Sequence, residues 1–126
     1  MTMQSSIAAA RINGPSPQRE GTTVFEFRFS ANDPTFAGHF PTRPLLPGVY
    51  QIEMARAAAQ WFMDTSLAVR EISRAKFLRP ILPEEVVRLE LKLSEVDGAI
   101  RARASFSVEG KRAGELHLEL QRRTPL

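Results

Sequence analysis

Residues 38–60 read GHFPTRPLLPGVYQIEMARAAAQ, a loop stiffened by Pro41, Pro44 and Pro47 that runs into a long helical stretch opening at Gly48. Proline fixes the backbone of the approach, and the pattern beyond predicts a helix over about residues 49–64. Helical spacing puts Val49, Ile52, Ala55, Ala59 and Phe62 on one expected face, while Ala57, Ala58 and Ala59 are small enough for a sheet to approach closely. Such a helix reads as surrounded by other structure. Two ionisable residues stand out in this setting, His39 in the loop and Glu53 on the helix.

Outward from this segment the chain is made of strands. Residues 22–30, TTVFEFRFS, alternate so that Phe25, Phe27 and Phe29 share a face opposite Glu26 and Arg28. Asn32-Asp33-Pro34 ends that strand, because the residue before proline avoids the helical region. Further strands are expected over residues 69–78, 85–96, 99–109 and 111–123, with hairpin turns at Asp97-Gly98 and Glu109-Gly110. Leu89, Leu91 and Leu93 alternate with Arg88, Glu90 and Lys92, and Leu116, Leu118 and Leu120 with Glu115, His117 and Glu119, so each strand has a dry and a wet face. A strand, one long helix and an antiparallel meander make an α+β order, whose economical packing is a curved sheet wrapped around the helix. Residues 1–21, ending in the NGPSPQREG run, read as an irregular arm, leaving 22–126 as a single domain. Long strands leave edges that need pairing, which points to a dimer.

Composition narrows the chemistry. The 126 residues contain no cysteine, which removes disulfide frameworks, thiolate nucleophiles and cysteine-ligated metal centres. Seventeen basic and 14 acidic residues leave a net charge of +3, a mild preference for an acidic partner. The arginines are dispersed and the aromatic residues sit at strand spacing, so nucleic acid is not the expected partner. No apolar run approaches the roughly 20 residues that span a bilayer, and no export signal is visible, so the expectation is a cytoplasmic protein without membrane insertion.

Two histidines and one helix acid are the candidate titrating groups. His117 shares its strand face with Glu115 and Glu119, a pattern of solvated or cross-strand pairing. His39 lies in a rigid loop just before a helix N-terminus, where a local field acts on its charge. Glu53 has Val49 and Ala57 at i−4 and i+4 and admits two readings. It is either an exposed helix carboxylate paired with Arg56 at i+3, or an acid turned into an apolar cavity, where desolvation favours the protonated form and lets it donate.

The string GHFPTRPLLPGVYQIE resembles the signature of the hotdog-fold 3-hydroxyacyl-acyl-carrier-protein dehydratases, and AKFLRPILPEEVVRLEL and GKRAGELHLEL are similar to later strands of that family. The resemblance spans about residues 32–120. It implies a hotdog fold, a homodimer or higher homo-oligomer with sites shared between subunits, and dehydration of 3-hydroxyacyl thioesters to trans-2-enoyl thioesters without metal or organic cofactor. His39 falls on the family's catalytic histidine, Glu53 on its acid, and Gly48 on the glycine whose N–H polarises the thioester carbonyl. Phe40, Pro47, Val49 and Ala57 become expected contacts for the substrate. Arg43 is either a contact for the acidic carrier or a solvated loop residue. Thr42 and Ala57 depart from the family pattern, which often has glycine and glutamine there. The PLLPGVYQ variant with Gln51 also resembles dehydratases of the aryl polyene pigment type, implying a conjugated chain. Two rivals share the fold: an acyl thioesterase, and a non-catalytic acyl-binding subunit that works with a second hotdog chain.

Overall fold

The structure is a computed structural model and describes residues 2–36 and 44–123. Helix α1 spans Met3–Ala10 and α2 spans Gly48–Met63; the strands are β1 Arg11–Pro17, β2 Thr22–Arg28, β3 Leu67–Phe77, β4 Val86–Val96, β5 Ala99–Val108 and β6 Lys111–Arg122. The strands form one antiparallel sheet in the order β1-β2-β4-β5-β6-β3. Between β2 and β4 the chain therefore crosses α2 to the far edge, lays down β3, and returns. The α+β architecture follows the expectation, and the strand ends fall within two residues of it.

Alternation decides which side of the sheet meets α2. Phe25, Phe27, Leu89, Leu91, Phe106, Leu116 and Leu120 are all fully buried, while their strand neighbours Arg88, Glu90, Arg101 and Arg103 are exposed. Met54, Ala55, Ala58 and Ala59 of α2 are buried in the same cluster. The two hairpins turn at Asp97-Gly98 and Glu109-Gly110, with positive φ at both residues of each pair, the geometry that matches strand twist.

Two expectations need correction. The expected helix face is buried only in part: Ala55 and Ala59 are buried and Ile52 packs partly buried against the core, but Val49 is 52% and Phe62 44% exposed, and Gln51, Met54 and Ala58, outside that face, are buried as well. The sheet selects the residues that allow close approach, and bulky side chains emerge at the helix ends. Nor are residues 1–21 irregular. Thr2 and Ser5 form a reciprocal capping box that starts α1, and Ile7 of that helix is completely buried. β1 then pairs antiparallel with β2 at the sheet edge, where Pro15 and Pro17 are tolerated because an edge strand need not donate on both sides. Arg11 of β1 lies 4.2 Å above the Trp61 ring, tying that edge to the end of α2.

The opposite edge is β3. From Arg70 to Phe77 every residue is exposed, and Phe77, Leu78 and Leu82 beyond it add apolar surface.

Candidate active site

Among the described residues α2 begins without a side-chain cap. Its N-cap is Pro47, which offers no acceptor to the first turn, and no acidic residue lies there. Of the first-turn N–H groups that of Tyr50 donates to the Pro47 carbonyl at 2.9 Å, while among the described residues no side chain caps that of Gly48, which has the positive end of a 16-residue helix behind it. A side chain at position 48 would crowd its neighbour on the sheet edge. A Cβ there would meet three atoms of the Phe77 ring at 3.0–3.2 Å, so the helix start sits directly against the end of the β3 edge.

At the close of the first turn, Gln51 points the other way, into the sheet. It is 2% exposed, its Oε1 has no hydrogen-bond partner among the described residues, and it lies 2.2 Å from where a Cβ of Gly114 would stand. Gly114 on β6 is the gap that admits this side chain.

Glu53 follows about 7.5 Å further along the helix axis from Gly48. Its side chain is 15% exposed and is not alone in an apolar pocket. Arg56 donates to the same oxygen, Oε1, from Nε at 2.9 Å and from Nη2 at 2.5 Å. Arg56 is itself 9% exposed, and its Nη1 donates to Gln60 Oε1 at 2.8 Å and to the Leu67 carbonyl at 3.0 Å. The i+3 pairing anticipated for Glu53 is present, but in a half-buried network rather than on a solvated face. The sequence reading missed Gln60; its position at i+4 from Arg56 and i+7 from Glu53 marks it on the same stripe.

His39, Phe40 and Arg43 lie outside the described residues. The chain on either side is well tied. Asp33 Oδ1 accepts from Thr35 N at 2.8 Å, Thr35 Oγ1 at 2.5 Å and Ser6 Oγ at 3.2 Å, and Thr35 Oγ1 also pairs with the Tyr50 hydroxyl at 3.1 Å. On the other side Leu46, 3% exposed, donates its N–H to Ile81 O at 2.8 Å. Of the other expected contacts, Pro47 is half-buried, Val49 is exposed, and Ala57 belongs to the buried cluster. An apolar groove of about 600 Å³ lies between Pro44, Leu45, Pro80, Leu82 and Pro83. His117 lies 3.2 Å from Glu115 Oε1 on the outer face of the sheet, the pairing its strand position suggested.

A family model described as ApeI-like, ApeI dehydratase, matches residues 16–118. The chain belongs to the ApeI-like dehydratase family. The match runs through Gly48, Glu53 and the segment that contains His39. The 3-hydroxyacyl-[acyl-carrier-protein] dehydratase FabZ of Natranaerobius thermophilus is 44% identical over 78 residues, covering 56% of this chain and 55% of that protein. The FabZ of Pelotomaculum thermopropionicum is 36% identical over 97 residues, 71% of this chain and 69% of that one. Among solved structures, a chain of the dehydratase heterocomplex ApeI:P from Xenorhabdus doucetiae superposes with a TM-score of 0.74 at 25% identity, over 89% of this chain and 96% of that one. The ApeI-like chain has the hotdog fold that the resemblance implied: one long helix packed on an antiparallel sheet. Among its described residues no helix is long and apolar enough to cross a membrane.

Proposed function

We propose that the chain dehydrates 3-hydroxyacyl thioesters on an acyl carrier protein to trans-2-enoyl thioesters, in fatty acid or polyene-type synthesis. The observation that supports it most is the family match through a helix that combines an uncapped N-terminus with a half-buried carboxylate on its second turn. A cytoplasmic setting fits the cysteine-free composition.

The roles follow from the chemistry. A C2 proton next to a thioester is weakly acidic, so neutral His39 removes it as base while the Gly48 N–H stabilises the negative charge that develops on the carbonyl oxygen. A preorganised donor of this kind contributes about 3 kcal/mol in comparable sites. The C2–H electron pair becomes the C2=C3 double bond, the C3–O bond breaks, and the oxygen leaves as water with the proton of Glu53. The proton taken by His39 then restores Glu53 through solvent. Phe40, Pro47, Val49 and Ala57 serve as the substrate contacts that the family resemblance implies. Arg43 and the net positive charge favour the acidic carrier.

The exposed β3 edge and the apolar surface at Val49, Phe77 and Leu78 favour a dimer built by pairing β3 with a second hotdog chain. A second copy of this chain is the simplest partner. A different hotdog subunit is the second reading, favoured by the likeness to a chain of a heterocomplex.

The test is a panel of 3-hydroxyacyl and saturated acyl carrier thioesters analysed by mass spectrometry. Loss of one water from the 3-hydroxyacyl substrates is the expected result. Release of free acid and thiol without enoyl product would assign hydrolysis instead. Stable carrier binding with turnover only after a second hotdog protein is added would assign the partner-subunit role.

A further inference from the structure

We propose that Arg56 is a positioning residue for Glu53: its guanidinium fixes one carboxylate oxygen so that the other meets the substrate's 3-hydroxyl, and it receives the charge left when the proton departs. This deepens the proposed function and rests on Glu53 being the acid of that reaction.

The geometry has three parts. First, both contacts from Arg56 converge on Oε1, and among the described residues no hydrogen bond occupies Oε2. A carboxylate held this way cannot rotate freely, and its remaining oxygen is the one available to a ligand. Second, the guanidinium is anchored independently of Glu53. Nη1 bonds Gln60 Oε1 and the Leu67 carbonyl, while Gln60 Oε1 also accepts from Leu67 N at 3.0 Å. Arg56 is therefore pinned at the junction of α2 and β3 and would keep its place while Glu53 changes charge. Third, the pair is 11% and 15% exposed at its side chains, whereas both partners of the ion pairs on the outer sheet face are more open, at 23–60%. Burying a guanidinium is costly unless it is paired and hydrogen-bonded, and a surface i,i+3 pair would need no such second anchorage.

The catalytic consequence is preorganisation. As the Glu53 O–H bond to the leaving oxygen gives way, negative charge grows on a carboxylate that already faces two N–H donors, so nothing has to reorganise at that moment. The same fixation sets the direction of the donating oxygen, and a shift of about 1 Å in such a group is enough to cost on the order of 10²-fold in rate.

The experiment compares wild type, Arg56→Ala, Arg56→Lys and Glu53→Gln, using a 3-hydroxyacyl carrier thioester and circular dichroism to count folded protein. For Arg56→Ala the expected result is a fall in kcat of about 10²-fold with KM changed by less than about threefold. Free guanidinium at sub-denaturing concentration should restore part of that kcat, and sodium chloride at equal ionic strength should not. Arg56→Lys keeps the charge but cannot supply the fork, so its kcat should fall by roughly tenfold. If Glu53→Gln is inactive while folded Arg56→Ala keeps kcat near wild type, the positioning role is overturned and the acid assignment stands. A kcat loss in Arg56→Ala that guanidinium does not relieve assigns a purely structural role and also overturns it. Should Arg56→Ala not fold, a wild-type kcat in Arg56→Lys overturns it. Activity in Glu53→Gln would instead remove the reading on which the inference rests.

Discussion

Replacing Gly114 with alanine should unseat the first turn of α2. The new Cβ would stand 2.2 Å from Gln51 Oε1 and 3.3 Å from the Lys76 carbonyl, so the Gln51 amide has to retreat by about 1 Å to reach ordinary contact. It has little room to do so. Gln51 is 2% exposed, and among the described residues its Oε1 has no hydrogen-bond partner. Forcing extra volume into a packed interior costs about 1–3 kcal/mol, and at roughly 4 °C per kcal/mol for a chain of this size Tm should fall by about 4–12 °C. The assay is thermal unfolding at fixed chain concentration, with urea unfolding as a second measure, because association would otherwise shift Tm. The clash also predicts coupling: adding Gln51→Ala to Gly114→Ala should recover about 1 kcal/mol or more beyond additivity. A Gly114→Ala protein whose Tm stays within about 1 °C of wild type, with no coupling to position 51, would refute the packing argument.

Other outcomes follow from the same structure. His39→Ala and Glu53→Gln should each lower the dehydration rate by on the order of 10²–10⁴-fold in steady-state assays while leaving the circular dichroism spectrum unchanged. Gly48→Ala drives a methyl against the Phe77 ring and should lower kcat, and Phe77→Ala in the same chain should restore part of it by giving the methyl room. Ile7→Ala should cost about 2–5 kcal/mol in urea unfolding, because Ile7 is completely buried; a near-zero cost would return residues 1–21 to the status of a loose arm.

The strands were legible because alternation is a local property: Phe25, Phe27, Leu89, Leu91, Leu116 and Leu120 show their face in the order of residues alone. The face of α2 was legible in part. Ala55 and Ala59 of the expected stripe are buried, but Val49 and Phe62 at its ends are exposed and the sheet also closes on Met54 and Ala58, a choice made by the distance between elements. β1 was hidden for a related reason. Pro15 and Pro17 argue against a strand until the strand is known to be an edge. Of the site, Glu53 and Gly48 could be picked out by spacing and resemblance, and Arg56 was visible at i+3. The anchorage of Arg56 through the Leu67 carbonyl was not readable, since it depends on where the chain turns after α2.

Asp33 joins parts of the molecule that the chemistry would not connect. Through Ser6 it reaches the amino-terminal helix, and through Thr35 and Tyr50 the first turn of α2. Alterations to the first ten residues, such as fusion partners or shortened starts, thus have a bonded route to the entrance of the histidine segment. Variants differing only there can differ in turnover while every reacting group is unchanged.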